Sequence, residues 1–109
     1  MNTVAEGAFT LVFVGYAEPA TSDSAAAYED AVLPLLDDHG ARLLYRGRRA
    51  TGQDPSLPLE VHLIWFPDRG AFESFMDDGR RSALVQEFGQ VFTVKHAVEM
   101  DTISGITAP

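Results

Sequence analysis

Residues 58–68, "PLEVHLIWFPD", read as one strand with two polar residues set into an apolar run. Side chains alternate along a strand, so Glu60 and His62 share one face, and Leu59, Val61, Leu63 and Trp65 share the other. A carboxylate and an imidazole together on so hydrophobic a strand have two readings. They are a catalytic pair, or they are polar stitching at a contact between subunits.

The neighbouring segments place this strand in a fold. Residues 9–16, "FTLVFVGY", are rich in β-branched and aromatic residues, as a strand buried on both faces should be. After the turn stretch "AEPATSDS", with Ser22, Asp23 or Ser24 as cap, a helix is expected to about His39. Its apolar stripe is Tyr28, Ala31, Val32, Leu35 and Leu36, spaced three and four apart. Pro34 predicts a kink or fresh start inside it, and Gly40 suits the left-handed position that ends it. Residues 41–49 form a second strand, followed by the loop "ATGQDPSLP" and the strand of residues 58–68. Asp68 then caps a helix that buries Phe72, Phe75 and Met76, Gly79 breaks it, and "RRSALVQEF" resumes. A last strand spans about 91–101, with a tail at 102–109.

The order β-α-β-β-α-β, with right-handed crossovers, gives an α+β, ferredoxin-like domain: a four-stranded antiparallel sheet with helices on one face. At 109 residues the chain is expected to be a single domain with its core at about 9–101. Net charge is −8, against the surplus of Lys and Arg that nucleic-acid binding needs. No cysteine is present, so thiolate chemistry and Cys-based metal sites are excluded. His39, His62 and His96 fall on three separate elements with no HxH or HExxH spacing, so no metal site is expected. No Gly-rich phosphate loop appears, and no cofactor is implied. The start lacks a secretory pattern and no apolar run nears the ~20 residues of a membrane span, so a cytoplasmic protein without membrane contact is expected.

Parity then distributes the side chains. If the wholly apolar side of each strand packs on the helices, Leu43, Tyr45 and Gly47 lie there with Leu59, Val61, Leu63 and Trp65, and so do Phe92, Val94, His96, Val98 and Met100. The bare face collects Arg46, Arg48, Glu60, His62, Lys95 and Glu99, with Ile64 and Phe66 among them. Such a mixture is too greasy for water and too charged for a dry core. It fits a two-fold contact in which opposite charges pair, so a homodimer through this face is expected, with Glu60 and His62 as partners of Arg46 or Arg48.

The order of elements and the stretch "VHLIWFPDRGAFESFMDDGRRSAL" resemble the dimeric α/β-barrel superfamily, which includes the antibiotic-biosynthesis monooxygenases. "AVLPLLDDHGARLLYRGRR" resembles the DUF1330 pattern of a Pro-containing helix, a Gly and a strand ending in Arg-Gly. The resemblance covers about residues 9–101 and implies a substrate held between sheet and helices. Transferred to this chain, Trp65, Tyr45, His96, Phe72, Phe75 and Phe13 or Tyr16 would line that pocket. Haem-degrading relatives also carry an iron-ligating histidine on the helix after the third strand, and "RRSALVQEF" has none.

Each candidate has a plain packing alternative. His96, set among apolar residues, is a general base favoured in its neutral form, or a satisfied core residue. Tyr45 and Tyr16 donate to a developing oxyanion, or pack with their hydroxyls at a rim. Trp65 stacks an aromatic substrate, or fills core. The expected function is a small cofactor-independent enzyme acting on an aromatic or polyketide-like molecule, of cyclase, lyase or monooxygenase type. Catalysis would fall to His96, His62 and Tyr45, and binding to Trp65, Tyr16, Phe13, Phe72 and Phe75. The alternative is a non-catalytic homodimer that binds a small apolar molecule or supports an assembly.

Overall fold

A computed structural model describes residues 7–105. Strands β1 (Phe9–Tyr16), β2 (Arg42–Arg48), β3 (Glu60–Phe66) and β4 (Val94–Met100) form one antiparallel sheet in the order β2-β3-β1-β4. Between β1 and β2 runs α1 (Ser22–Val32), which tightens at Leu33–His39 into a 3-10 segment with Pro34 in its first turn. Proline has no amide to give an α-helical bond, so the fresh start expected there is what occurs. Gly40 ends the segment at φ 71°, in the left-handed region. Between β3 and β4 lie α2 (Arg69–Met76) and α3 (Gly79–Phe88). Asp68 caps the first by accepting from the Ala71 amide, and Asp78 caps the second by accepting from Arg80. The α+β, ferredoxin-like architecture is as expected, and no described helix is long and apolar enough to cross a membrane.

The assignment of faces is the reverse of the expected one. In the β1–β3 pair, Phe9 faces Phe66, Leu11 faces Ile64, Phe13 faces His62 and Gly15 faces Glu60. These side chains lie under the helices. Ile64 and Phe66 pack with Val32, Leu33, Leu36 and Phe75, and Phe66 is fully buried. Val61, Leu63 and Trp65 point the other way, and only Leu59, just before the strand, joins the core beside Ala25 and Phe92.

Two local features account for the reversal. A bulge between Leu43 and Tyr45 breaks the two-residue period, so Leu43, Arg46 and Arg48 all reach the helix side while Tyr45 turns away. β4 begins at Val94, three residues later than expected, so Phe92 enters the core from a loop while Val94, His96, Val98 and Met100 line the open face. Arg46, Arg48, Glu60, His62, Lys95 and Glu99, expected on the bare face, lie on the helix side instead.

The Phe66 ring lies 5.5 Å from Phe9 and 5.3 Å from Phe72, so its loss leaves a cavity the backbone cannot close. Phe66→Ala is expected to destabilise the fold by about 3–5 kcal/mol, measured by urea unfolding. A cost below about 1 kcal/mol would mean that β3 does not present this face to the helices.

Candidate functional site

On the helix side, the row of residues crossing the sheet at β3 is Arg46, His62, Phe13 and Ala97, and the next is Arg48, Glu60, Gly15 and Lys95. Glu60 is 1% exposed, which for an ionised carboxylate demands full hydrogen bonding. It is met by Arg46, whose Nε and Nη2 donate at 2.8 and 2.9 Å, and by Arg48, whose Nε and Nη2 donate at 3.0 and 2.8 Å. The Arg46 contact is a fork onto both oxygens, a strong form of ion pair, whereas both Arg48 nitrogens meet Oε2. Arg46 also reaches Asp30 at 2.7 Å and the Ala26 carbonyl at 3.2 Å, fastening β2 and β3 to α1. Burial alone would raise the Glu60 pKa, but hydrogen bonds from His62, Arg46 and Arg48 outweigh it and hold the group at about 2.

His62 Nε2 lies 2.8 Å from Glu60 Oε1. A carboxylate can only accept, so Nε2 carries the proton and Nδ1 is the acceptor in the neutral ring. Nδ1 faces Glu29 Oε2 at 3.6 Å, and the ring stacks on Phe13 at 4.8 Å between centroids. Glu29 occupies the buried stripe of α1 between Ala25 and Val32. Its carboxyl is pushed up to about 7, chiefly by burial, against the attraction of His62. Glu60, His62 and Glu29 thus form a chain from a permanently charged carboxylate to one that titrates near neutrality. Arg46 and Arg48 crowd Glu60, and among the described residues no group of acidic and histidine side chains is arranged to hold a metal.

The pocket expected between sheet and helices is divided in two. Phe13, Phe72 and Phe75 lie on the helix side with His62. Tyr45, Trp65, Tyr16 and His96 lie on the open face, where they do not meet them. Phe72 and Phe75 pack around Phe66 as core. His96, expected on the helix side, stands edge-on to Tyr16 at 6.4 Å. A cleft of about 480 Å³ opens beside the two, bounded by Glu18, Pro19, Pro55, Ser56, Thr93 and Val94. Across the open face run the rows Tyr45–Leu63–Val12–Val98 and Gly47–Val61–Val14–His96. The Tyr45 ring lies over Gly47, where any Cβ would meet it. Glu29 was missed, although its spacing of four from Ala25 and three to Val32 places it inside the apolar stripe.

Neither a family model nor a curated protein matches the chain. Solved structures resemble it at low identity. A proposed antibiotic biosynthesis monooxygenase of Bacteroides thetaiotaomicron is 12% identical with a TM-score of 0.74, over 97% of this chain and 100% of that one. A protein of unknown function from Rhodopseudomonas palustris is 15% identical with a TM-score of 0.69, over 92% and 85%. A dimeric protein of unknown function and ferredoxin-like fold from Bacteroides fragilis is 8% identical with a TM-score of 0.65, over 91% and 100%. At such identities the likeness carries the fold alone, which is ferredoxin-like.

The two buried carboxyls pull stability in opposite directions with pH. Between pH 4.5 and 7 the folded chain keeps a proton on Glu29 that the unfolded chain releases, so this contribution is complete below pH 4.5 and lost as pH rises through 7. Glu60 contributes above pH 4.5 and loses its share as pH falls towards 2. Glu29→Gln is expected to gain up to about 3 kcal/mol on the wild type between pH 4.5 and 8, by urea unfolding across that range. Parallel pH profiles for the two proteins would mean that Glu29 titrates as an ordinary surface carboxyl.

Proposed function

We propose that the chain is a homodimeric, cofactor-independent enzyme that moves protons on an aromatic or polyketide-like small molecule, with the chemistry on the helix side of the sheet. The observation that carries this reading is the Glu60–His62–Glu29 chain. An imidazole is held in one tautomer by a charged carboxylate 2.8 Å away and backed by a flat ring, as an orienting residue holds an acid–base histidine. Cyclase, lyase and oxygenase reactions of such substrates all begin with removal of a proton from an activated C–H or O–H. Antibiotic-biosynthesis-monooxygenase-like neighbours of the same fold support this class.

The homodimer is drawn from the open face. Tyr45, Val94, Val98 and Met100 are each about half exposed there, beside Val12, Val14, Val61, Leu63 and Trp65. An apolar sheet surface of this breadth marks a contact, and a structural neighbour is described as dimeric. The contact is thus greasy, with His96 and Tyr16 at its edge, and the ion pairs expected across it form within one protomer. In light scattering the protein is expected at twice its 11.9 kDa protomer mass, and Leu63→Arg is expected to shift it to monomer. A wild-type monomer would end the homodimer reading.

A second reading, a non-catalytic binder of a small apolar molecule, is favoured by the cleft beside Tyr16 and His96. The two separate on a panel of anthrone- and naphthol-type aromatics, followed by absorbance and oxygen uptake. The enzyme reading expects turnover that falls at least tenfold in His62→Ala and survives in His96→Ala. Binding without turnover, lost on Tyr16→Ala, would favour the binder.

A further inference from the structure

His62 cannot itself meet a substrate, because Nε2 is committed to Glu60 and Nδ1 faces Glu29. The open end of the chain is the Glu29 carboxyl. It is 5% exposed, and its one ion-pair contact among the described residues, at 3.6 Å, is longer than a hydrogen bond. Around it stand His62 and Glu60 on β3, Arg46 on β2 and Lys95 on β4, with Asp30 of α1 held against Arg46. Beside it the helix layer stops short of the sheet edge. Lys95, Ala97 and Glu99 point to the helix side and yet are exposed, and Phe13 is only half-buried. The sheet therefore has a strip along β4, floored by Phe13 and Ala97, from which a flat apolar molecule can approach α1.

We infer that Glu29 is the catalytic base and acid of this protein, taking a proton from an apolar substrate lying on Phe13 and Ala97, with His62 as its positioning residue. This rests on the acid–base reading proposed above and names the group that touches the substrate. The Glu29 carboxylate accepts the proton from a C–H beside a carbonyl or from a phenol O–H. The bonding pair stays on the substrate as enolate or phenolate. Glu29, now protonated, returns the proton to another atom of the substrate, so the step needs no oxidant. Desolvation raises the basicity of Glu29 towards neutrality, where a general base is most effective.

The test uses 5-nitrobenzisoxazole, a flat apolar probe that reports on a carboxylate base without the natural substrate. Removal of its C–H proton forms the nitrile as the N–O bond breaks, releasing a coloured phenolate. The wild type is expected to accelerate this with a rate that rises with pH through an inflection near 7. Glu29→Gln is expected to lose at least tenfold, Glu29→Asp to recover part of it, and His62→Gln to move the inflection. Circular dichroism establishes that each variant is folded, and the Glu29 carboxyl carbon followed by NMR gives its titration midpoint directly. Full activity in folded Glu29→Gln, or a midpoint near 4.5, overturns the assignment. Activity lost in His62→Ala but kept in Glu29→Gln overturns Glu29 as the base, while acid–base chemistry in the helix-side cluster survives as a reading. Probe activity that depends on Glu29, with no turnover of the aromatic panel, supports Glu29 and removes the proposed substrate class.

Discussion

The Glu60 carboxylate decides how this sheet is used. At 1% exposure it would cost several kcal/mol as an unpaired charge, and it is tolerated because two guanidinium groups and an imidazole donate to it within one protomer. Three consequences follow from that set of bonds. The β2 bulge is needed to bring Arg46 and Arg48 to the same side as Leu43. His62 is fixed in a single tautomer. The apolar residues of β3, displaced to the other face, make that face hydrophobic.

The sheet thereby acquires two unlike surfaces. Its helix side holds a packed aromatic core around Phe66 at one end and an ionic cluster at the other, near the exposed strip of β4. Its open side is a near-continuous apolar surface broken by Thr10, Arg42 and His96. The proposed contact on the open side and the proposed chemistry on the helix side draw on different residues. A bulky substitution on one face therefore leaves the other intact, provided the β-strands keep their register.

Much of the architecture is legible in the sequence because it rests on local signals. The strand at 9–16, the Asp68 cap and the left-handed Gly40 each follow from a residue type in its place, while the helix break expected at Gly79 falls at Asp77 and Asp78, with Gly79 opening α3. That Glu60 pairs with Arg46 and Arg48 is legible from charge, but the expected place, across a contact between subunits, is not where it occurs: the bonds form within one protomer. The choice of face is not legible, since it depends on one extra residue at Leu44 and on where β4 begins, and neither leaves a mark in hydropathy. The rule that the more apolar side faces the helices fails here because a buried ionic cluster takes part of the helix side. Glu29 escapes notice for a related reason: a lone acidic residue in a helix stripe reads as a solvated position until the sheet brings His62 beneath it.

The most direct test of this account is a double-mutant cycle joining Glu60 and Arg46, with Glu60→Met, Arg46→Met and both together, measured by urea unfolding at pH 7. Each single change is predicted to cost about 3 kcal/mol or more, because one takes the forked Arg46 partner from a buried carboxylate and the other takes the anion from the three groups that donate to it. The double variant should cost at least about 2 kcal/mol less than the sum. Costs that add within about 0.5 kcal/mol would show two independent side chains, and the buried cluster would not be what sets the faces of the sheet.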